Sequence, residues 1–301
     1  MSEALVGLLL LDKPVGLSSN AALQRVRRLA GGIKAGHGGS LDPLASGMLP
    51  ICLGEATRLA GELLAGRKAY RFGVQLGERS DTGDAEGAIV ERCAVPVLSE
   101  PMVRAALERL HGPQQQVPPM YSALKRDGVP LYRLARAGMS VERAARAITI
   151  EEFTLLALEG DRLELRVLCS KGTYVRVLAE DLARALGTCG RLYSLRREFV
   201  EPFAGLPMVQ LEQLEQREGG AGALPHWPVL PADRAVEHLP PLHLDGAQAT
   251  ALMHGRPVPV AAGACASWRL YDAAGRFLGL GSTDALGQLR VRRLFSQPLE
   301  V

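Results

Sequence analysis

A polar stretch broken by glycine and proline, from about residue 210 to 241, divides this 301-residue chain into two unequal parts. Neither a helix nor a strand passes easily through such a stretch, because proline removes a backbone donor and glycine raises the entropic cost of ordering. Each part is therefore expected to close a core of its own. Residues 1–235 are assigned to the first, which is long enough to bury a full core. Residues 241–301 are assigned to a small β-rich domain, with a helix near 248–254 and strands at 268–271, 277–279 and 289–294.

Within the large part, the continuous apolar run of residues 8–11 ends at Asp12-Lys13-Pro14 and reads as a core strand. Ser19 or Asn20 is placed to cap a helix that Gly31-Gly32 stops. Residues 70–76 alternate as a strand and run into the turn Asp81-Thr82-Gly83-Asp84. Ser99 caps a second helix, with Pro101 in its first turn and Gly112-Pro113 as its terminator. Strands at 148–158 and 163–169 pair about Glu159-Gly160-Asp161. Thr173 then caps a helix whose Val175, Leu178, Ala179 and Leu182 face inward.

A net charge of +3 permits a nucleic-acid partner without demanding one, since clustering matters more than the total. Basic clusters stand at Arg25, Arg27, Arg28 and Lys34, and again at Arg191, Arg196 and Arg197; a solvated helix face explains them equally well. The five cysteines are scattered, without a C-x-x-C pair, which argues against a disulfide framework or a zinc site and fits a reducing, cytoplasmic setting. The histidines show no metal-ligand spacing, so no metal is expected. The apolar run 5–11 is too short to cross a membrane.

The segment densest in chemical groups is Gly36-His37-Gly38-Gly39-Ser40-Leu41-Asp42-Pro43-Leu44-Ala45-Ser46-Gly47, glycine-rich and strand-poor. Pro43 restricts Asp42 to an extended conformation, and the glycines allow close approach. Here the sequence resembles the TruB-type family of tRNA pseudouridine synthases, whose aspartate signature G-H-x-G-x-L-D-P-x-A-x-G is matched from Gly36 to Gly47. The resemblance spans about residues 8 to 203 in order. It includes Asp12-Lys13-Pro14-Val15-Gly16, Lys68-Ala69-Tyr70, Asp81-Thr82-Gly83-Asp84, Gln116-Val117-Pro118-Pro119-Met120-Tyr121-Ser122-Ala123 and Lys171-Gly172-Thr173-Tyr174-Val175-Arg176. Leu17-Ser18 and Ser80 depart from the usual threonines.

The resemblance implies an α+β fold: a mixed, mostly antiparallel sheet flanked by helices, with a cleft along its middle and a PUA-like C-terminal domain. It implies conversion of a T-loop uridine in tRNA to pseudouridine, without cofactor, metal or obligate protein partner. Asp42 would be the catalytic carboxylate, since cleavage at ribose C1′ develops the oxocarbenium character that glycosidases meet with a carboxylate. Attack on C1′, addition to C6 and removal of a 2′ proton all remain open. Arg176 would hold Asp42 ionised through two parallel hydrogen bonds, and Tyr70 would stack on the flipped uracil and could accept the C5 proton as a catalytic residue. His37 would fill the gap that the base leaves. Tyr174 would contact substrate, and Lys13 and Lys68 would meet phosphate or support the floor. The arginines of the tail, Arg256, Arg269, Arg290, Arg292 and Arg293, would meet RNA backbone. A different-class alternative is an RNA-binding or RNA-folding module without chemistry, separated from the enzyme by whether uridine is converted.

Overall fold

The computed structural model describes residues 5–216 and 227–299; the middle of the expected connector, 217–226, lies outside them. A nine-stranded sheet forms the large part. Its strands are β1 (Gly7–Lys13), β2 (Ala35–His37), β3 (Ala45–Leu53), β4 (Lys68–Leu76), β5 (Gly112–Gln116), β6 (Arg146–Glu159), β7 (Arg162–Cys169), β8 (Gly190–Val200) and β9 (Val209–Gln210). Their order is β9-β1-β3-β8-β4-β7-β6-β5, with β2 also on β3. Only β1 with β9 and β3 with β8 run parallel. The sheet is thus mixed and mostly antiparallel.

The apolar run in β1 is continuous because the sheet is covered on both faces. Leu9 and Leu11 enter one core with Leu23 and Val26 of α1 (Ser19–Leu29), Val103 of α2 (Glu100–Arg109) and Leu178 of α4 (Val175–Ala185). Leu8 and Leu10, one residue out of phase, enter a second core with Met48, Phe203 and Val236. A short helix, α3 (Leu131–Arg136), stands in the insertion between β5 and β6.

Several local expectations need correction. The cap of α1 is Ser18, whose hydroxyl accepts from Ala21 N–H, one residue before the expected pair. Thr173 does not cap α4; Tyr174 stands there, and buried Gln116 accepts from its N–H at 2.7 Å and donates to its carbonyl at 3.2 Å. Gly112-Pro113 does more than stop α2, since it opens β5. The glycine-rich stretch contributes strand at both ends, in β2 and in β3. Arg191, Arg196 and Arg197 lie on β8, not on a helix. Cys93 and Cys189 are disulfide-bonded with Cα atoms 5.7 Å apart, so scattered spacing did not exclude a pair.

The tail forms a five-stranded sheet of β10 (Pro241–His243), β11 (Val258–Pro259), β12 (Cys265–Tyr271), β13 (Phe277–Thr283) and β14 (Gln288–Leu299), in the order β10-β12-β13-β14-β11. A helix, α5 (Gly246–Met253), starts at a capping box between Asp245 and Gln248. Leu244, Leu252 and Leu289 make a small core of the tail's own. Tyr271, Phe277, Leu280 and Phe295 instead join Leu8, Leu10 and Phe203 in the second core of the large part. The two parts therefore share buried surface.

Candidate active site

One row of residues crosses the centre of the main sheet. Lys13 of β1 pairs with Gly47 of β3, Gly47 with Arg197 of β8, and Arg197 with Tyr70 of β4. Residues directly opposite across strands share a face, and this is the face that buries Leu11, Leu49 and Phe72. At this end the apolar face turns polar. Gly47 is required in the row: its φ is +100°, and a Cβ there would lie 2.1 Å from the carbonyl oxygen of Arg197.

Asp42 lies above the row, in the loop from β2 to β3. Its carboxylate Oδ2 accepts from Arg176 Nε at 3.0 Å. Arg176, buried in the first turn of α4, does not grip Asp42 with two parallel bonds as expected. Its other nitrogens donate to the carbonyls of Thr82 at 2.8 Å and Tyr121 at 2.6 Å. The guanidinium is thus held on three sides and offers Asp42 one aimed bond. Asp84, buried in the turn after β4, lies 3.8 Å from the same Nε, and its other oxygen accepts from Thr82 Oγ1 at 2.6 Å.

Asp42 remains open to the cleft, with 42% of its side chain exposed, while protein surrounds it on the other sides. Burial raises its pKa above the ordinary value and Asp84 adds to the rise; Arg176, with Lys13 behind it, opposes both. The cation restrains the drift towards the neutral acid without cancelling it.

Two cavities meet at this carboxylate. The larger, about 750 Å³, is lined by His37, Asn20, Asp81, Tyr132 and Arg136. The other, about 420 Å³, runs over Tyr70, Lys68, Tyr174, Leu195 and Arg197. Asp42, Arg176 and Ser122 border both. Tyr70 is almost wholly buried, and burial raises its pKa. Tyr174, whose pKa burial also raises, lines the same cavity. His37 ends β2 with its Nδ1 buried and unpartnered, and burial together with nearby Arg197 lowers its pKa, so the ring is neutral at pH 7.

The expected lysines stand at the site with their ammonium groups turned to backbone carbonyls. Lys13 is fully buried and donates to the carbonyls of Pro14 and Leu17 at 2.7 and 2.6 Å; burial lowers its pKa to about 8. Lys68 donates to the carbonyls of Leu64 and Gly66, and burial lowers it also to about 8. Among the tail arginines, Arg269 donates to the Leu239 carbonyl and lies over the Tyr271 ring. Arg292 donates to Ser267, and Arg256 and Arg290 are exposed. Among the described residues no group of acidic, histidine and cysteine side chains converges to hold a metal, and no helix is long and apolar enough to cross a membrane.

Sequence reasoning missed Arg197, which it grouped with surface bases. The residue is 1% exposed; its Nε donates to the Met48 carbonyl, and its terminal nitrogens to Ser40 and Gly39 in the Asp42 loop. Arg196 points the other way and meets Asp12 through two parallel bonds of 3.0 and 2.8 Å. Alternation along a strand separates them, a signal available had residues 190–200 been read as β. Asp84 and Gln116 were visible only as parts of motifs, with no role attached.

Comparison with known proteins shows the family of the chain. The model of the TruB family pseudouridylate synthase N-terminal domain matches residues 27–175, and that of the pseudouridine synthase II TruB C-terminal region matches 240–295. The chain is 52% identical over 292 residues to the tRNA pseudouridine synthase B of Aromatoleum aromaticum, covering 96% of this chain and 92% of that protein. It is 50% identical over 291 residues to the protein of the same name from Stutzerimonas stutzeri, covering 96% and 95%. A solved Cbf5-Nop10-Gar1 complex shares the fold with a TM-score of 0.74 at 24% identity, over 96% of this chain and 84% of that one. With these two family matches and these relatives along nearly its whole length, the chain belongs to the TruB family of pseudouridylate synthases and is an isomerase.

Proposed function

We propose that this enzyme converts a uridine in the T loop of tRNA to pseudouridine, with Asp42 as the catalytic carboxylate. The observation that carries the reading is the position of Asp42 where two cavities meet, held by a buried arginine. One cavity, floored by Tyr70, accepts the extruded uracil; the other accepts the ribose and neighbouring nucleotides. The names of the relatives support tRNA as the substrate.

The residue roles follow from chemistry. Asp42 acts as the anion at C1′, at C6 or on the 2′ proton, and each route needs it ionised. Arg176 keeps enough of it ionised and fixes its direction. Tyr70 and Tyr174 supply ring surface to the base, and the neutral His37 ring stacks in the gap that the flipped base leaves. Lys13 and Lys68 support the floor and do not contact phosphate. Residues 1–235 carry the chemistry, and 241–301 contact RNA through exposed bases such as Arg256 and Arg290.

The test is incubation of the protein with a T-arm stem-loop RNA in metal chelator, followed by mapping of pseudouridine. Conversion of the T-loop uridine supports the reading. No conversion, or conversion at another uridine only, overturns it.

A further inference from the structure

The cavity over Tyr70 is lined by three cations, Lys68, Arg176 and Arg197, and one carboxylate, Asp42. Arg176 is paired with Asp42. Lys68 bonds to the carbonyls of Leu64 and Gly66, and Arg197 to those of Gly39, Ser40 and Met48, with the Tyr70 hydroxyl also beside its guanidinium. Among the described residues neither makes an ion pair, yet both are at least nine-tenths buried. Keeping two such charges away from water is costly unless something negative shares the space. Carbonyl dipoles offset part of that cost, and the remaining potential is focused into the cavity.

We propose that Lys68 and Arg197 stabilise the uracil anion released when the C1′–N1 bond breaks. The inference rests on the proposed reaction. In that step the bonding electron pair leaves with N1 and spreads onto the two uracil carbonyl oxygens, while C1′ becomes electron-poor. After the base turns, the same anion supplies the pair that forms the C1′–C5 bond. The C5 proton is then lost and N1 gains one, so the sum is a proton moved from C5 to N1, with no oxidant or reductant. Fixed positive charge beneath the base lowers the barrier to the charged intermediate and leaves the neutral substrate nearly unaffected. The lowered pKa of Lys68, to about 8, still leaves it protonated at neutral pH.

The experiment compares two T-arm RNAs, one with uridine and one with 5-fluorouridine at the target, by single-turnover loss of the original nucleoside. Fluorine withdraws electrons and stabilises the uracil anion by itself, so dependence on the protein's charge falls. Lys68→Gln removes the charge and keeps a shorter N–H donor, and Lys68→Arg preserves charge. The expected result is that Lys68→Gln slows loss of uridine about tenfold or more. Loss of 5-fluorouridine slows by roughly a third of that factor or less, and Lys68→Arg keeps most of the rate. Arg197→Gln also frees the Asp42 loop, so it is expected to slow both RNAs and to slow loss of uridine further than loss of 5-fluorouridine. Any unfolded fraction lowers both rates equally and leaves the ratio between RNAs unchanged. Equal slowing on both RNAs, no slowing, or an arginine variant as slow as the glutamine one overturns the charge role. Wild-type enzyme that leaves T-arm uridine unconverted would overturn the proposed function itself, a separate outcome.

Discussion

Asp42 and its amide have nearly the same size, so Asp42→Asn removes charge and nucleophilicity while leaving the cavities shaped. The expected outcome is loss of pseudouridine formation by about a thousandfold or more, with RNA binding kept within several fold in a filter assay. A variant retaining a tenth of the rate would refute the assignment. The carboxylate also sets an acid limb. Its folded pKa is raised by burial and Asp84, so activity is complete above that value and is lost as pH falls through it. Arg176 is the largest influence opposing the rise. Arg176→Met is therefore expected to move the acid limb of the single-turnover rate to higher pH, and a limb that stays in place would show the pair has no electrostatic role.

At the scale of elements, the junction of β3 with β8 is the sharpest constraint. Gly47→Ala places a methyl 2.1 Å from a backbone oxygen at φ +100°, so the strands must part or the loop must shift. It is expected to cost about 3 kcal/mol or more in denaturant unfolding. The two bonds from Gln116 to Tyr174 fix the start of α4, where Arg176 sits. Gln116→Ala is expected to cost about 1–3 kcal/mol and to lower the rate at saturating RNA, because Arg176 loses its anchor. Most elements were legible because their signals are local. The pairing of β6 with β7 and the inward face of α4 lie where apolar spacing and the Glu159-Gly160-Asp161 turn put them. The strand β8 went unread because Arg191, Arg196 and Arg197 mask its alternation, and a basic run reads as surface until burial is known.

For the whole molecule, the question is whether the tail is an independent attachment. Leu244 and Leu252 pack within it, but Tyr271, Phe277, Leu280 and Phe295 complete a core begun by β1. Each such side chain is worth roughly 1.5–3 kcal/mol when buried. Deleting residues from 241 onward is therefore expected to lower the melting temperature and expose apolar surface, besides weakening RNA binding. Phe277→Ala is expected to destabilise the protein by about 3–5 kcal/mol. Calorimetry of that variant decides the matter: one lowered transition indicates a shared core, and a separate early transition indicates an independent tail.

The sequence by itself determined the elements whose causes lie within a few residues: the β1 run, the caps and turns, and a glycine-flanked Asp42 too densely matched to be a chance turn. The family resemblance implied that Asp42, Tyr70 and Arg176 share a site, and the structure lines one cavity with all three. Only the tertiary structure decided what each charge does. Lys13, Lys68, Arg196 and Arg197 are alike as letters, yet two hold loop carbonyls from inside the floor, one braces the Asp42 loop, and one pairs with Asp12. The difference is burial, which follows from strand register: a shift of one residue along β8 would exchange Arg196 with Arg197. Register is fixed by packing across strands distant in sequence, and so local pattern does not contain it.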